Sequence, residues 1–64
     1  RAWLHIVVPD GSIEPAVAVL QQRGFDAHRN AYGVLVEVSA QGKGTALASL
    51  SDHGIQVLDL EVWR

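Results

Sequence analysis

What limits this chain first is its punctuation: Pro9, Gly24, Tyr32-Gly33, Gln41-Gly42-Lys43-Gly44 and Gly54 cut it into short segments whose apolar period switches between strand and helix. Trp3 to Val8 is a continuous apolar and β-branched run. Pro9 closes it, because proline cannot donate to a sheet ladder. Ser12 stands where a helix N-cap would accept a backbone N–H, Glu14 places negative charge near the positive helix terminus, and Pro15 is tolerated in a first turn. The predicted helix runs to Arg23. Ile13, Val17 and Leu20 fall at i, i+4 and i+7 with Ala16 alongside, and Gly24 is the natural left-handed stop.

The second half repeats the plan. Phe25 to Asn30 alternates Phe25 and Ala27 inward with Asp26, His28 and Asn30 outward, which predicts a strand. Tyr32-Gly33 are expected to be the two residues of a tight hairpin, the glycine supplying a positive φ. Val34 to Val38 returns as the third strand. After the small, polar stretch from Ser39 to Gly44, Ala46, Leu47 and Leu50 mark a short helix ending at His53-Gly54. Ile55 to Trp63 is the last strand, with a change of inward parity between Val57 and Leu58 that calls for a bulge or bend. The order β-α-β-β-α-β is the ferredoxin-like arrangement, an α+β fold. Right-handed crossovers put strands one and three at the centre of a four-stranded antiparallel sheet with both helices on one face.

A chain of 64 residues makes one small domain, here residues 1–64, and at this size only about 60 % of the unfolded surface is buried. It has no cysteine, so disulfides cannot support it, and neighbours or a second copy are the expected support. An apolar share of 48 % with 19 % charged residues fits a folded domain. A net charge of −2, with five basic residues scattered among seven acidic ones, disfavours nucleic acid. No apolar run reaches the roughly 20 residues of a membrane-spanning helix. The chain has no Met, opens in mid-pattern at Arg1-Ala2-Trp3 and stops at Trp63-Arg64 while still reading as a strand, so a piece of a longer protein is expected.

Several groupings invite a chemical reading. Asp10, Gly11 and Ser12 lie at a helix N-terminus, where free N–H groups favour an anion. Asp10 and Glu14 already occupy that position and would repel one, so a cap and a turn is the better reading. Gln41-Gly42-Lys43-Gly44-Thr45 glances toward a phosphate-binding loop but lacks the glycine five positions before Gly42 and the hydroxyl directly after Lys43. If Tyr32-Gly33 form the turn, His28 lies opposite Glu37 and shares a face with His5, which makes a His-Glu-His metal site conceivable. Polar residues are ordinary on the wet side of a sheet, and no fourth ligand is visible. Ser12, Ser39, Ser49 and Ser51 have no histidine that the topology would bring into reach. No catalytic, cofactor-binding or metal residue is therefore assigned. The open face of the sheet, expected to carry Trp3, His5 and Val7 from strand one and Leu35 and Glu37 from strand three, is the candidate contact surface.

The chain as a whole resembles the small domain that follows the ATPase core in many bacterial ABC transporter ATP-binding subunits, and most of all the copper-processing branch that matures nitrous-oxide reductase. Leu4-His5-Ile6-Val7-Val8, Val17-Ala18-Val19-Leu20 with Gly24, Gly33 to Val38, Leu47-Ala48-Ser49-Leu50 with Gly54, and Val57 to Trp63 carry the likeness. The family's Pro-Ser/Thr-Leu-Glu-Asp box would begin just past Arg64. The resemblance implies a non-catalytic accessory domain that helps subunits dimerise or tunes the ATPase. Its partners would be its own ATPase domain, a second copy of the subunit or the transporter's membrane subunit, on the cytoplasmic side of the cell membrane. ATP and Mg would be bound by the parent protein, through residues this chain lacks. An alternative likeness, to the ACT domain, implies an amino-acid sensor binding at the loop after strand one, here Asp10, Gly11 and Ser12. The heavy-metal-associated domain shares the order but needs a cysteine pair.

Overall fold

The computed structural model describes residues 2–63; Arg1 and Arg64, the ends of the expected domain, lie outside the described residues. Among these, β1 spans Ala2–Val7, α1 Ile13–Gln22, β2 Asp26–Arg29, β3 Gly33–Val38, α2 Lys43–Asp52 and β4 Asp59–Trp63. The strands form one antiparallel sheet in the order β2-β3-β1-β4, so strands one and three are central, as the crossover rule requires. Leu4, Ile6, Val34, Val36, Val38 and Ala27 share one face of this sheet and join Ile13, Ala16, Leu20, Ala46 and Leu50 in a single buried cluster. Both helices therefore cover that face. This is the ferredoxin-like α+β arrangement.

Each helix ends the same way, and the sequence shows why. Gly24 and Gly54 adopt φ of +87° and +72°, a region that costs other residues about 1–2 kcal/mol. With the chain turned there, Gly24 N–H donates to the Gln21 carbonyl and Phe25 N–H to that of Leu20. Gly54 N–H and Ile55 N–H repeat the pair on Ser51 and Leu50. This is the Schellman closure, in which the apolar residue after the glycine packs back onto the last turn. Phe25 and Ile55 are those residues, and both reach the core.

The N-terminus of α1 departs from expectation. Ser12 stands just before the helix but makes no side-chain cap. Asp10–Ser12 instead winds into one tight 3₁₀ turn, its last N–H held by the Pro9 carbonyl at 2.8 Å. That turn places Ile13, and not the Ser12 hydroxyl, at the start of the helix.

The hairpin also differs. Ala31-Tyr32, and not Tyr32-Gly33, are its two turn residues: Asn30 N–H donates to the Gly33 carbonyl at 2.9 Å, and Arg29 pairs with Val34. Gly33 has no positive φ; among the described residues only Gly24 and Gly54 do. Glycine is needed there for another reason. Gly33 pairs with Val7, and a Cβ on it would sit 2.0 Å from the Ile6 carbonyl oxygen, so the turn can lie against β1 only without a side chain.

The last strand is shorter than Ile55 to Trp63 suggests, beginning at Asp59. The parity change is present. Val57 packs against the core, Leu58 is 53 % exposed, and Leu60 turns inward again. Leu58 N–H donates to the Val7 carbonyl at 2.7 Å while Asp59 is the register partner of Val7, so two residues face one across a bulge.

Candidate interaction face

Side chains of β1, β3 and β4 that do not enter the core point to the other side of the sheet, and no described helix covers them. The register sets them in rows that run from β2 to β4. Asp26, Glu37, Trp3 and Trp63 form the first row, His28, Leu35, His5 and Glu61 the second, and Gly33, Val7 and Asp59 the third. Trp3, His5, Val7, Leu35 and Glu37 thus stand together, as the alternation of β1 and β3 predicts.

His5, in the middle of the face, is only 7 % exposed. Trp63 lies over it, ring centres 5.0 Å apart, while Trp3 lies 6.2 Å from the His28 ring. Below them Asn30 ties the hairpin to β1. Its Oδ1 accepts the N–H groups of Tyr32 and Gly33, each at 3.1 Å, and stands 3.1 Å from His5 Nε2. An oxygen that takes two backbone donors has to be the amide oxygen, so Nε2 of His5 carries the hydrogen and donates the third bond. Nδ1 is left buried without a hydrogen bond, 3.6 Å from Glu61 Oε1. A buried polar atom in that condition costs about 1–3 kcal/mol. The sequence places Asn30 on this side but gives it no role; the cue available was an Asx turn, an Asn whose side chain closes the next two residues.

The metal reading changes with the register. His28 faces Leu35, and Asp26 faces Glu37, so the expected His28–Glu37 pair is one row out of step. The two-residue shift in sum follows from the turn falling at Ala31-Tyr32. His28 Nε2 lies 2.7 Å from Asp26 Oδ1 on its own strand. Among the described residues no three His, Asp or Glu side chains gather around one point.

The other candidates are placed as follows. Asp10 and Gly11 are exposed in the turn before α1 and Ser12 is half-buried. Two shallow hollows, of about 370 and 320 Å³, lie at the opposite end of the sheet, the first against Leu4, Val38, Lys43 and Val62, the second against Phe25, Glu37 and Ser39. Neither is lined by the Asp10–Ser12 turn. Gly42 ends a turn and Lys43 begins α2, both without a cap bond from a side chain. Ser49 is buried and donates from Oγ to the Thr45 carbonyl at 2.8 Å, and His53 Nδ1 meets the Ser49 carbonyl at 2.9 Å, so the imidazole holds the end of the helix and not the hydroxyl.

Charge divides the molecule. Asp26, Glu37, Asp59 and Glu61 lie on the open side, while Arg29 turns to the helix side to pair with Glu14 and Arg23 and Lys43 belong to the helix ends. Among the described residues the open side carries no lysine or arginine. Comparison with protein-family models, curated proteins and solved structures finds no match to this chain. No described helix is long and apolar enough to cross a membrane.

Proposed function

We propose that this chain is a non-catalytic contact domain of a larger protein and works by presenting the open face of its sheet to another protein surface. One observation carries the reading: with both helices on one side, Trp3, Val7, Leu35 and Trp63 gather on the other, and Trp63 remains 44 % exposed even where it covers His5. Large side chains with one wet end are the usual anchors of protein contacts. The setting we propose, on the likeness of its segments, is the accessory domain of an ABC transporter ATP-binding subunit. There the contact serves dimerisation of the subunit or adjustment of ATP hydrolysis, and ATP chemistry belongs to the neighbouring ATPase part.

The test is made in the parent protein. Trp3→Ser combined with Leu35→Ser should lower self-association or change the ATPase rate, read by sedimentation and by phosphate release, with circular dichroism unchanged. A folded double variant that sediments and hydrolyses ATP like the parent sinks the contact reading. A parent without a Walker motif ahead of this domain removes the transporter setting and leaves the contact face standing.

A further inference from the structure

We infer that His5, Glu61 and Trp63 form a proton-dependent clasp that fixes the end of β4 to β1 and so sets how Trp63 stands on the open face. Their geometry is that of a pair short of one hydrogen. Nε2 of His5 carries its hydrogen toward Asn30 Oδ1, so the lone pair lies on Nδ1, buried and without a hydrogen bond. Glu61 Oε1 stands 3.6 Å from it and is itself an acceptor. Two acceptors thus face each other across a gap a little too wide for a hydrogen bond. The same oxygen takes the Trp63 Nε1 hydrogen at 3.4 Å, and the indole lies over the imidazole with ring centres 5.0 Å apart.

A proton taken up at Nδ1 makes the ring a donor on both sides. Nδ1–H then donates to the Glu61 carboxylate, and bonds of that kind close to about 2.7–2.9 Å. The charged ring also lies beneath the face of an indole, which attracts a cation within about 6 Å. Both new partners belong to β4, while Asn30 holds the other nitrogen. Burial resists a charge on the ring, so the proton and the closed clasp each depend on the other. The remaining neighbours leave this pairing alone. Leu35 faces His5 from β3, and Trp3 and Val7 flank it on its own strand. His28 stands beyond Leu35, about 10 Å away across two strands, with Asp26 Oδ1 2.7 Å from its Nε2. Asp59, which accepts Leu60 N–H, and Glu37 stand one row away, opposite Val7 and Trp3. The closed form holds the proton with partners that the open form lacks, so it gains as pH falls through the histidine range and loses as pH rises. Any effect on docking rests on the contact reading above; the clasp itself does not.

The test follows the His5 and His28 rings, both indole N–H groups and the β4 amides of the chain by nuclear magnetic resonance from about pH 8 to about pH 5. The Trp63 indole and the β4 amides should move with the midpoint of His5. Relative to their intrinsic rates, those amides should exchange about two- to fivefold more slowly once His5 is protonated. Glu61→Gln should remove the response, because its amide can donate to the unprotonated Nδ1 and its neutral oxygen no longer favours the proton. Glu61 is exposed, so this exchange leaves the fold in place. His28→Gln should leave the Trp63 response unchanged. A Trp63 indole and a β4 that stay still while His5 titrates, a response that survives Glu61→Gln, or one that disappears in His28→Gln would each overturn the clasp. So would a His5 ring that takes up no proton across that range. None of these readouts needs a partner, so failure of the clasp is distinct from failure of the contact reading, which shows in the parent assay.

Discussion

Ile6 and Val7 are neighbours on one strand and belong to two different surfaces. Ile6, with Leu4, Val34 and Val36, is wholly withdrawn from solvent between sheet and helices, and every buried residue that the strands put on that face is aliphatic. Val7 shares its face with two tryptophans, two histidines and a border of carboxylates. Aliphatic packing without polar atoms secures the fold; aromatic rings and charges, left half wet, gain most when something else covers them. Alternation along a single β-strand thus separates what holds the domain together from what it offers outward.

The largest effect expected from breaking this division is at Ile6. Ile6→Ala should cost about 2–5 kcal/mol in urea unfolding, and Val7→Ala about 1 kcal/mol or less. Comparable losses at the two positions would mean that the open face is as much a core as the other. An intermediate effect is expected for Asn30→Ala, which leaves two backbone N–H groups and His5 Nε2 without their acceptor. A loss of about 1–3 kcal/mol, with faster amide exchange at Tyr32 and Gly33, would show that the open face has one fixed polar tie beneath its rings. Unchanged exchange would show that water replaces the amide oxygen. The smallest effect is expected at the rim of the helix side, where Arg29 pairs with Glu14 in solvent. Arg29→Ala should change stability by about 0.2–1 kcal/mol at low salt and by less at high salt. A larger figure would place part of the fold's support outside its aliphatic layer.

The segment order, the sheet order and the five residues of the open face could be read from the chain because each rests on local rules. Proline and glycine punctuate, period two alternates, and a crossover has a hand. Even the bulge near Leu58 left its trace, since Val57 and Leu60 cannot both point inward on a regular strand. The hairpin register could not be read in the same way. Gly33 advertises a positive φ, but its lack of a side chain answers to the Ile6 carbonyl, a partner distant along the chain. Asn30 took over the turn with its side chain, and that displaced His28 from Glu37. Ser12 looked like a cap because its type and place were right; the tight turn from Pro9 satisfied the backbone before the hydroxyl was required. The Asn30–His5 bond spans 25 positions and has no local signature.

Both tryptophans of the chain lie on the open side of the sheet, each near an imidazole. The ultraviolet emission of the domain therefore originates almost wholly from that side. Anything that settles there, or lifts Trp63 from His5, changes the colour and intensity of that light. The two indoles would thus report a contact on that side with no dye to attach.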